Sequence, residues 1–217
     1  MTPIALSERS EKLDLLCIGA HSDDIEIGAG GFILSLLQSG FPVNVQWCVL
    51  SASGPRAEEA RQSAEAFLCG AASIQIEIGD FADTQFPSQI PAIREWLSRI
   101  REKAVPDVVL VHRADDAHQD HRTLNQLAWN MFRDQTILEY EIPKWDGDLG
   151  RPNAYVALTE AVLERKLELL QTHFASQRSK DWFDTDTFRG LARLRGMECR
   201  APERFAEAFT TTKVRLL

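Results

Sequence analysis

No apolar run in the sequence approaches the roughly 18 residues needed to cross a bilayer, so no transmembrane segment is expected. Positive charge is scarce: 24 Lys and Arg stand against 32 Asp and Glu, giving a formal net charge of −8 and a pI near 5.2. Neutralising phosphates takes a clustered excess of Lys and Arg, which argues against nucleic-acid partners and a basic membrane-surface protein alike. There are only four cysteines, Cys17, Cys48, Cys69 and Cys199, with no CxxC spacing. They read as reduced thiols, not as the framework of a secreted scaffold. The stretch from Met1 to Asp14 mixes Glu8, Arg9, Glu11 and Lys12 with few apolar residues and has no segment like a signal peptide. A soluble, cytoplasmic protein is the expectation. Internal repeats, low-complexity tracts and linkers are also missing, as are an intact GxGxxG and a Walker A pattern.

What is present is an ordinary globular composition: 217 residues, 44% hydrophobic and 26% charged, enough to bury one sizeable core. Strand-like and helix-like segments alternate through the first two-thirds of the chain, the pattern of βαβ crossovers in a parallel sheet. The pattern predicts strands at 13–19, 43–50, 74–78, 108–111 and 137–142, and helices at 30–38, 56–68, 90–103 and 122–132. After Asp146-Gly147-Asp148-Leu149-Gly150 it loosens into a strand at 154–158, a helix capped by Thr159 and running to about residue 171, a loop at 174–186, a helix at 187–195 and a last strand at 209–214. The expected fold class is α/β: a Rossmann-like three-layer sandwich with a mostly parallel central sheet, forming a single domain over residues 1–217.

Two short segments about a hundred residues apart carry the chemistry: Ala20-His21-Ser22-Asp23-Asp24 and His118-Gln119-Asp120-His121. Each follows a strand-like run and leads toward a helix, and open parallel sheets build their sites from such strand-end loops. His21 and Asp24, three residues apart, together with His121 supply two imidazoles and a carboxylate. That is the ligand set of a catalytic zinc with one position left for water. Asp23 then stands beside the water as a general base. His118 faces the position of the oxyanion, with Asp120 as a partner that would favour its charged form. Amide hydrolysis follows from that arrangement. Two imidazoles and a carboxylate suit ferrous iron as well as zinc.

These motifs, with Ile25-Glu26-Ile27-Gly28 after the first, resemble the signatures of the LmbE-like, or PIG-L, family of zinc-dependent N-deacetylases. The resemblance implies zinc on His21, Asp24 and His121, Asp23 as base and His118 at the oxyanion. It also implies a small-molecule substrate bearing an N-acetylglucosamine-type amino sugar. The family usually has proline where Ser22 stands. It further places an arginine after the second strand and an aspartate after the third near the sugar, which Arg56 and Asp83 match loosely.

Other residues stay open. His112 is either a strand-end histidine with its own partner or a group behind the site. Trp145, Trp182 and Phe183 either stack on a sugar or pack as core and lid. Arg193, Arg195 and Arg200 either rim an anionic substrate or form a solvated face. Gly28 to Gly31 serves either close helix packing or phosphate binding at a helix N-terminus. The second use would make the chain a non-catalytic nucleotide or sugar-nucleotide module. A homo-oligomer is compatible with everything above.

Overall fold

In a computed structural model, which describes residues 11–103 and 105–214, strand β1 (Leu13–His21) lies inside a seven-stranded sheet. The charged segment read as lacking a signal peptide lies outside the described residues as far as residue 10. The other strands are β2 (Val43–Ser51), β3 (Ser73–Ile78), β4 (Val108–His112), β5 (Thr136–Tyr140), β6 (Ala154–Leu158) and β7 (Phe205–Thr210). Their order is β3-β2-β1-β4-β5-β7-β6. The first five pair in parallel, and β7 runs antiparallel to both β5 and β6.

Strands β1 and β4 are apolar along most of their length because helices cover both faces. Side-chain alternation divides β1 between two cores. Leu13, Leu15 and Cys17 join the layer built on helices α1 (Asp24–Gln38), α2 (Pro55–Phe67), α5 (Glu160–His173) and α6 (Thr185–Cys199). Leu16, Ile18 and Ala20 join the opposite layer, built on α3 (Phe86–Lys103) and α4 (Gln119–Met131). This is the expected three-layer arrangement. The chain passes from β1 to β2 on one side and places β4 on the other, so the crevice between the carboxyl ends of β1 and β4 is a topological switch point. His21 ends β1 and His112 ends β4 at that crevice.

Helix α1 starts at Asp24, six residues before the expected 30, so the glycines lie inside a helix. Their use is close approach. A Cβ on Gly28 would sit 2.2 Å from Tyr140 Cδ2, one on Gly30 2.6 Å from Phe67 Cε1, and one on Gly31 2.7 Å from Leu158 Cδ1. The Tyr140 ring cannot swing aside, since it is fully buried and its hydroxyl donates to Ile18 O at 2.7 Å. Gly28→Ala is therefore expected to cost about 1–3 kcal/mol of stability through overpacking, read as a lower urea midpoint with an unchanged m-value.

The C-terminal third departs further from expectation. Helix α6 begins at Thr185, where Asp184 Oδ1 accepts from the backbone N–H groups of Asp186 (2.7 Å) and Thr187 (2.9 Å). It runs to Cys199, beyond the expected residue 195, and Arg200 closes it in the left-handed region with φ 58°. The last strand is Phe205–Thr210 in place of 209–214, and pairing on both edges fixes its extent. All four cysteines are free thiols, with Cys17 and Cys48 buried.

Candidate metal centre

Helix α1 begins immediately after the turn that follows β1, so His21, Asp23 and Asp24 converge at its N-terminus, where the helix dipole favours negative charge. Asp24 Oδ2 turns back to accept from the His21 backbone N–H at 2.7 Å. His121 comes from the first turn of α4 across the crevice. Three donor atoms then form a nearly equilateral triangle: His21 Nδ1 to Asp24 Oδ2 is 3.3 Å, His21 Nδ1 to His121 Nε2 is 3.3 Å, and His121 Nε2 to Asp24 Oδ2 is 3.5 Å. Tetrahedral zinc with bonds of 2.0–2.1 Å separates its ligands by about 3.3–3.4 Å. The corresponding cis ligands of an octahedron at the same bond length stand only about 2.9–3.0 Å apart. The triangle is of a size to hold a small divalent ion.

Each histidine presents its second nitrogen to carboxylates. His21 Nε2 lies 3.0 Å from Asp83 Oδ1 and 3.4 Å from Asp120 Oδ2, and His121 Nδ1 lies 3.0 Å from Asp116 Oδ2. Such partners select the tautomer whose other nitrogen faces a metal. Among the described residues three other donor groupings exist, His21-His118-His121, Asp24-His112-His121 and His21-Asp83-His118-Asp120. Of their extra members, His112 and Asp120 are already engaged. His112 Nε2 accepts the Ala20 N–H at 3.0 Å, and Asp120 accepts the backbone N–H groups of Thr84 (2.7 Å) and Phe86 (3.0 Å).

Electrostatics follow from this crowding. Burial works against charge on His21, yet Asp24, Asp120 and Asp83 carry its pKa well above the ordinary value. Burial likewise opposes charge on Asp24, and the imidazoles of His121, His112 and His21 still hold it well below the carboxylate range. Asp23 goes the other way. Burial, then repulsion from Asp24, pushes it up to about 6, while Arg56, His21 and Lys180 pull it down. Its Oδ2 is buried and makes no hydrogen bond among the described residues.

His118 caps α4, its Nδ1 accepting the Asp120 N–H at 3.3 Å, and its ring centre lies 4.9 Å from that of His21 and 4.7 Å from that of His121. Burial and the neighbouring His121 and His21 lower its pKa. The expected ion pair between His118 and Asp120 is not formed. The first turn of α4 directs the Asp120 carboxylate toward the 84–86 turn and His21. Thr84 holds that turn in the left-handed region with φ 62°.

Arg56 and Asp83 meet at the rim. Arg56 Nε donates to Ser22 Oγ at 3.2 Å, and its Nη1 lies 3.5 Å from Asp83 Oδ2. The serine at the family's proline position thus acquires a use. Interactions with His21 first, and then with Arg56, bring Asp83 down to about 2 against partial burial.

Sequence reasoning passed over Asp116 and undervalued His112. The His112 ring is fully buried, stacks on His121 with centres 3.7 Å apart and planes 14° apart, and places Nε2 3.2 Å from Asp24 Oδ2. It is a wall of the site, and both readings of it hold: it ends β4 with its own partner in the Ala20 N–H, and it stands behind His121 and Asp24. Asp116 was legible only as an acid two residues before His118. Trp145 is 70% exposed and meets Trp182 edge to face at 6.2 Å, whereas Phe183 is core. Arg195 is buried, with Nε and Nη2 each 2.7 Å from a Glu141 carboxylate oxygen, so it belongs neither to a substrate rim nor to a solvated face.

The family model described as PIG-L, GlcNAc-PI de-N-acetylase, matches residues 16–132, more than half of the chain and the span that contains every site residue predicted from sequence. The chain belongs to the PIG-L family. Among the relatives of this PIG-L deacetylase is the Escherichia coli K12 protein named uncharacterized deacetylase YaiS, 29% identical over 180 residues, covering 77% of this chain and 94% of the relative. Two solved structures share the fold. One is the Pyrococcus horikoshii N,N'-diacetylchitobiose deacetylase with its inhibitor MPG: TM-score 0.69, 22% identity, 94% of this chain and 85% of that one. The other is GalB, the 4-carboxy-2-hydroxymuconate hydratase of Pseudomonas putida KT2440: TM-score 0.73, 18% identity, 94% of this chain and 98% of that one. Among the described residues no helix is long and apolar enough to cross a membrane.

Proposed function

We propose that this PIG-L protein removes the acetyl group from an N-acetylglucosamine-type sugar or sugar conjugate, using zinc held by His21, Asp24 and His121. The observation that carries the reading is the triangle of donor atoms with 3.3–3.5 Å edges beside the buried, unpartnered oxygen of Asp23. Zinc there would polarise the acetamide carbonyl and make water acidic enough to attack near neutral pH. Ferrous iron offers the same charge and suits the same two imidazoles and carboxylate.

The protein's own groups carry the protons. Asp23, poised near neutrality, takes a proton from the attacking water as its oxygen bonds to the acetyl carbon. Neutral His118 accepts the Asp120 N–H at Nδ1, which leaves its proton on Nε2, where it donates to the developing oxyanion. No imidazolium is required for that step. The C–N bond then breaks, and the proton held by Asp23 passes to the departing amine. Acetic acid and the amine are then the products, the acid's remaining proton passes to the amine to give acetate and an ammonium sugar, and Asp23 is left ionised for the next turnover. Arg56 and Asp83, which meet at the rim, would hold sugar hydroxyls, and Asp120 would fix His21 through its Nε2 side.

The nucleotide-binding alternative loses its main support, because Gly28 to Gly31 lie inside α1 against Tyr140, Phe67 and Leu158. The GalB likeness concerns the fold. Primary-amine release from zinc-loaded protein, measured across free N-acetylglucosamine, its glycosides, nucleotide-sugars and lipid-linked forms, tests the proposal. Amine and acetate appearing in equal amounts from at least one member is the expected result. Release from none, with zinc shown to be bound, would sink the amino-sugar reading.

A further inference from the structure

The loop after β5 reaches the metal centre from behind. Lys144 Nζ, with a side chain only 9% exposed, lies 3.0 Å from Asp116 Oδ1 and 2.8 and 2.6 Å from the two oxygens of Asp148. Asp116 Oδ1 also accepts the His118 N–H at 2.8 Å, while its Oδ2 faces His121 Nδ1 at 3.0 Å. Asp148 Oδ2 in turn accepts the Ala117 N–H at 2.7 Å. One ammonium therefore stands between two carboxylates, and each carboxylate grips the segment that leads into the His118 to His121 motif.

We infer that Lys144 and Asp148 are positioning residues for the metal ligand His121, acting through Asp116. This rests on the reading of His21, Asp24 and His121 as the zinc site. Asp116 has two oxygens and two tasks, and Lys144 separates them: with Oδ1 occupied by the ammonium and the His118 amide, Oδ2 is left to face His121. Without the ammonium, Asp116 and Asp148 confront each other as like charges in a largely dry space. The carboxylate that orients His121 must then turn away or draw in water. Arg122 Nη1 donates to Asp116 O at 2.7 Å and holds the backbone, so the change falls on side chains and not on the loop's path. None of the four groups Lys144, Asp148, Asp116 and Ala117 belongs to the donor triangle. Their effect must appear in how tightly and in what geometry a metal is held.

Metal affinity separates this from a merely structural role. Zinc dissociation constants are measured by chelator competition, and cobalt(II) spectra are recorded on the same proteins. Lys144→Met is expected to weaken zinc about 10–100-fold, the usual cost of losing a partner behind a metal-ligating histidine, and to change the cobalt band shape. Asp148→Asn, which keeps the volume, should weaken it in the same direction. Lys166→Met is the control: it removes a buried ammonium that binds Ile27 O and Glu207, remote from His121, and should lower thermal stability while leaving zinc affinity within about twofold. If Lys144→Met or Asp148→Asn folds and binds zinc as tightly as wild type, with the same cobalt spectrum, the inference is wrong although the zinc site stands. If wild type itself binds no zinc, or binds it equally after His121→Ala, the metal reading falls and this inference falls with it.

Discussion

Asp23→Asn is expected to retain zinc and the fold yet lose turnover by roughly 10²–10⁴-fold, the range over which a positioned general base acts. The asparagine keeps the size of the buried side chain but cannot take a proton. Asp24→Ala should behave differently. It removes a corner of the donor triangle and the acceptor of the His21 N–H, so metal is lost together with activity. The pair is checked by metal analysis and single-turnover rates on the same preparations. An Asp23→Asn enzyme with wild-type rates would overturn the mechanism.

The same residue sets a pH limb. Burial and Asp24 raise Asp23 to about 6, and the base works only when ionised, so kcat/KM should fall about tenfold per unit as pH drops below that region. Zinc brings positive charge close to Asp23 and favours its ionised form, placing the limb at or below 6 in the loaded enzyme. Lys180 also favours the ionised form. Its ammonium lies 5.3 Å from the Trp182 ring centre and makes no ion pair among the described residues. Replacing it by Met should therefore move the limb upward. A limb that stays in place would show that Lys180 exerts no electrostatic pull on Asp23.

The central fold was legible because its signals are local and repeated. Apolar runs such as 43–50 and 108–111, separated by amphipathic stretches, place the parallel strands within a residue or two. The convergence of the three donors proposed as metal ligands was legible because they occur in two compact motifs at strand ends. What escaped depends on contacts between distant segments. The start of α1 was misplaced because glycines weaken a helix pattern, and only Tyr140, Phe67 and Leu158 explain why they are there. Asp120 was paired with its neighbour in sequence, whereas the helix turn carries it to amides 34 and 36 residues away. Lys144 and Asp148 looked like parts of a polar loop, and their meaning depends on where that loop lands.

Strand β7 was misplaced for a reason that leads to the largest expected loss of stability. A glutamate in the middle of a buried strand contradicts the apolar pattern, and Glu207 is there because two other elements supply its partners. Its Oε1 accepts the Gly31 N–H at 2.7 Å and Lys166 Nζ at 2.6 Å, and its Oε2 accepts the Phe32 N–H at 2.6 Å. Lys166 also donates to Ile27 O at 2.6 Å, the carbonyl four residues before Gly31 in α1. The two side chains thus engage the helix on either side of one of its own bonds. Glu207→Ala leaves an ammonium that is only 6% exposed without its counter-charge, and a loss of about 3–5 kcal/mol is expected. For a chain of this size that corresponds to a melting temperature lower by about 6–20 °C. Lys166→Met combined with Glu207→Met should lose much less, since no charge is left buried. The site lies two turns away along α1, so the folded Glu207→Ala enzyme should bind zinc with nearly wild-type affinity. A double variant as unstable as the single one would show that the pair's value lies in its shape and not in its charge balance.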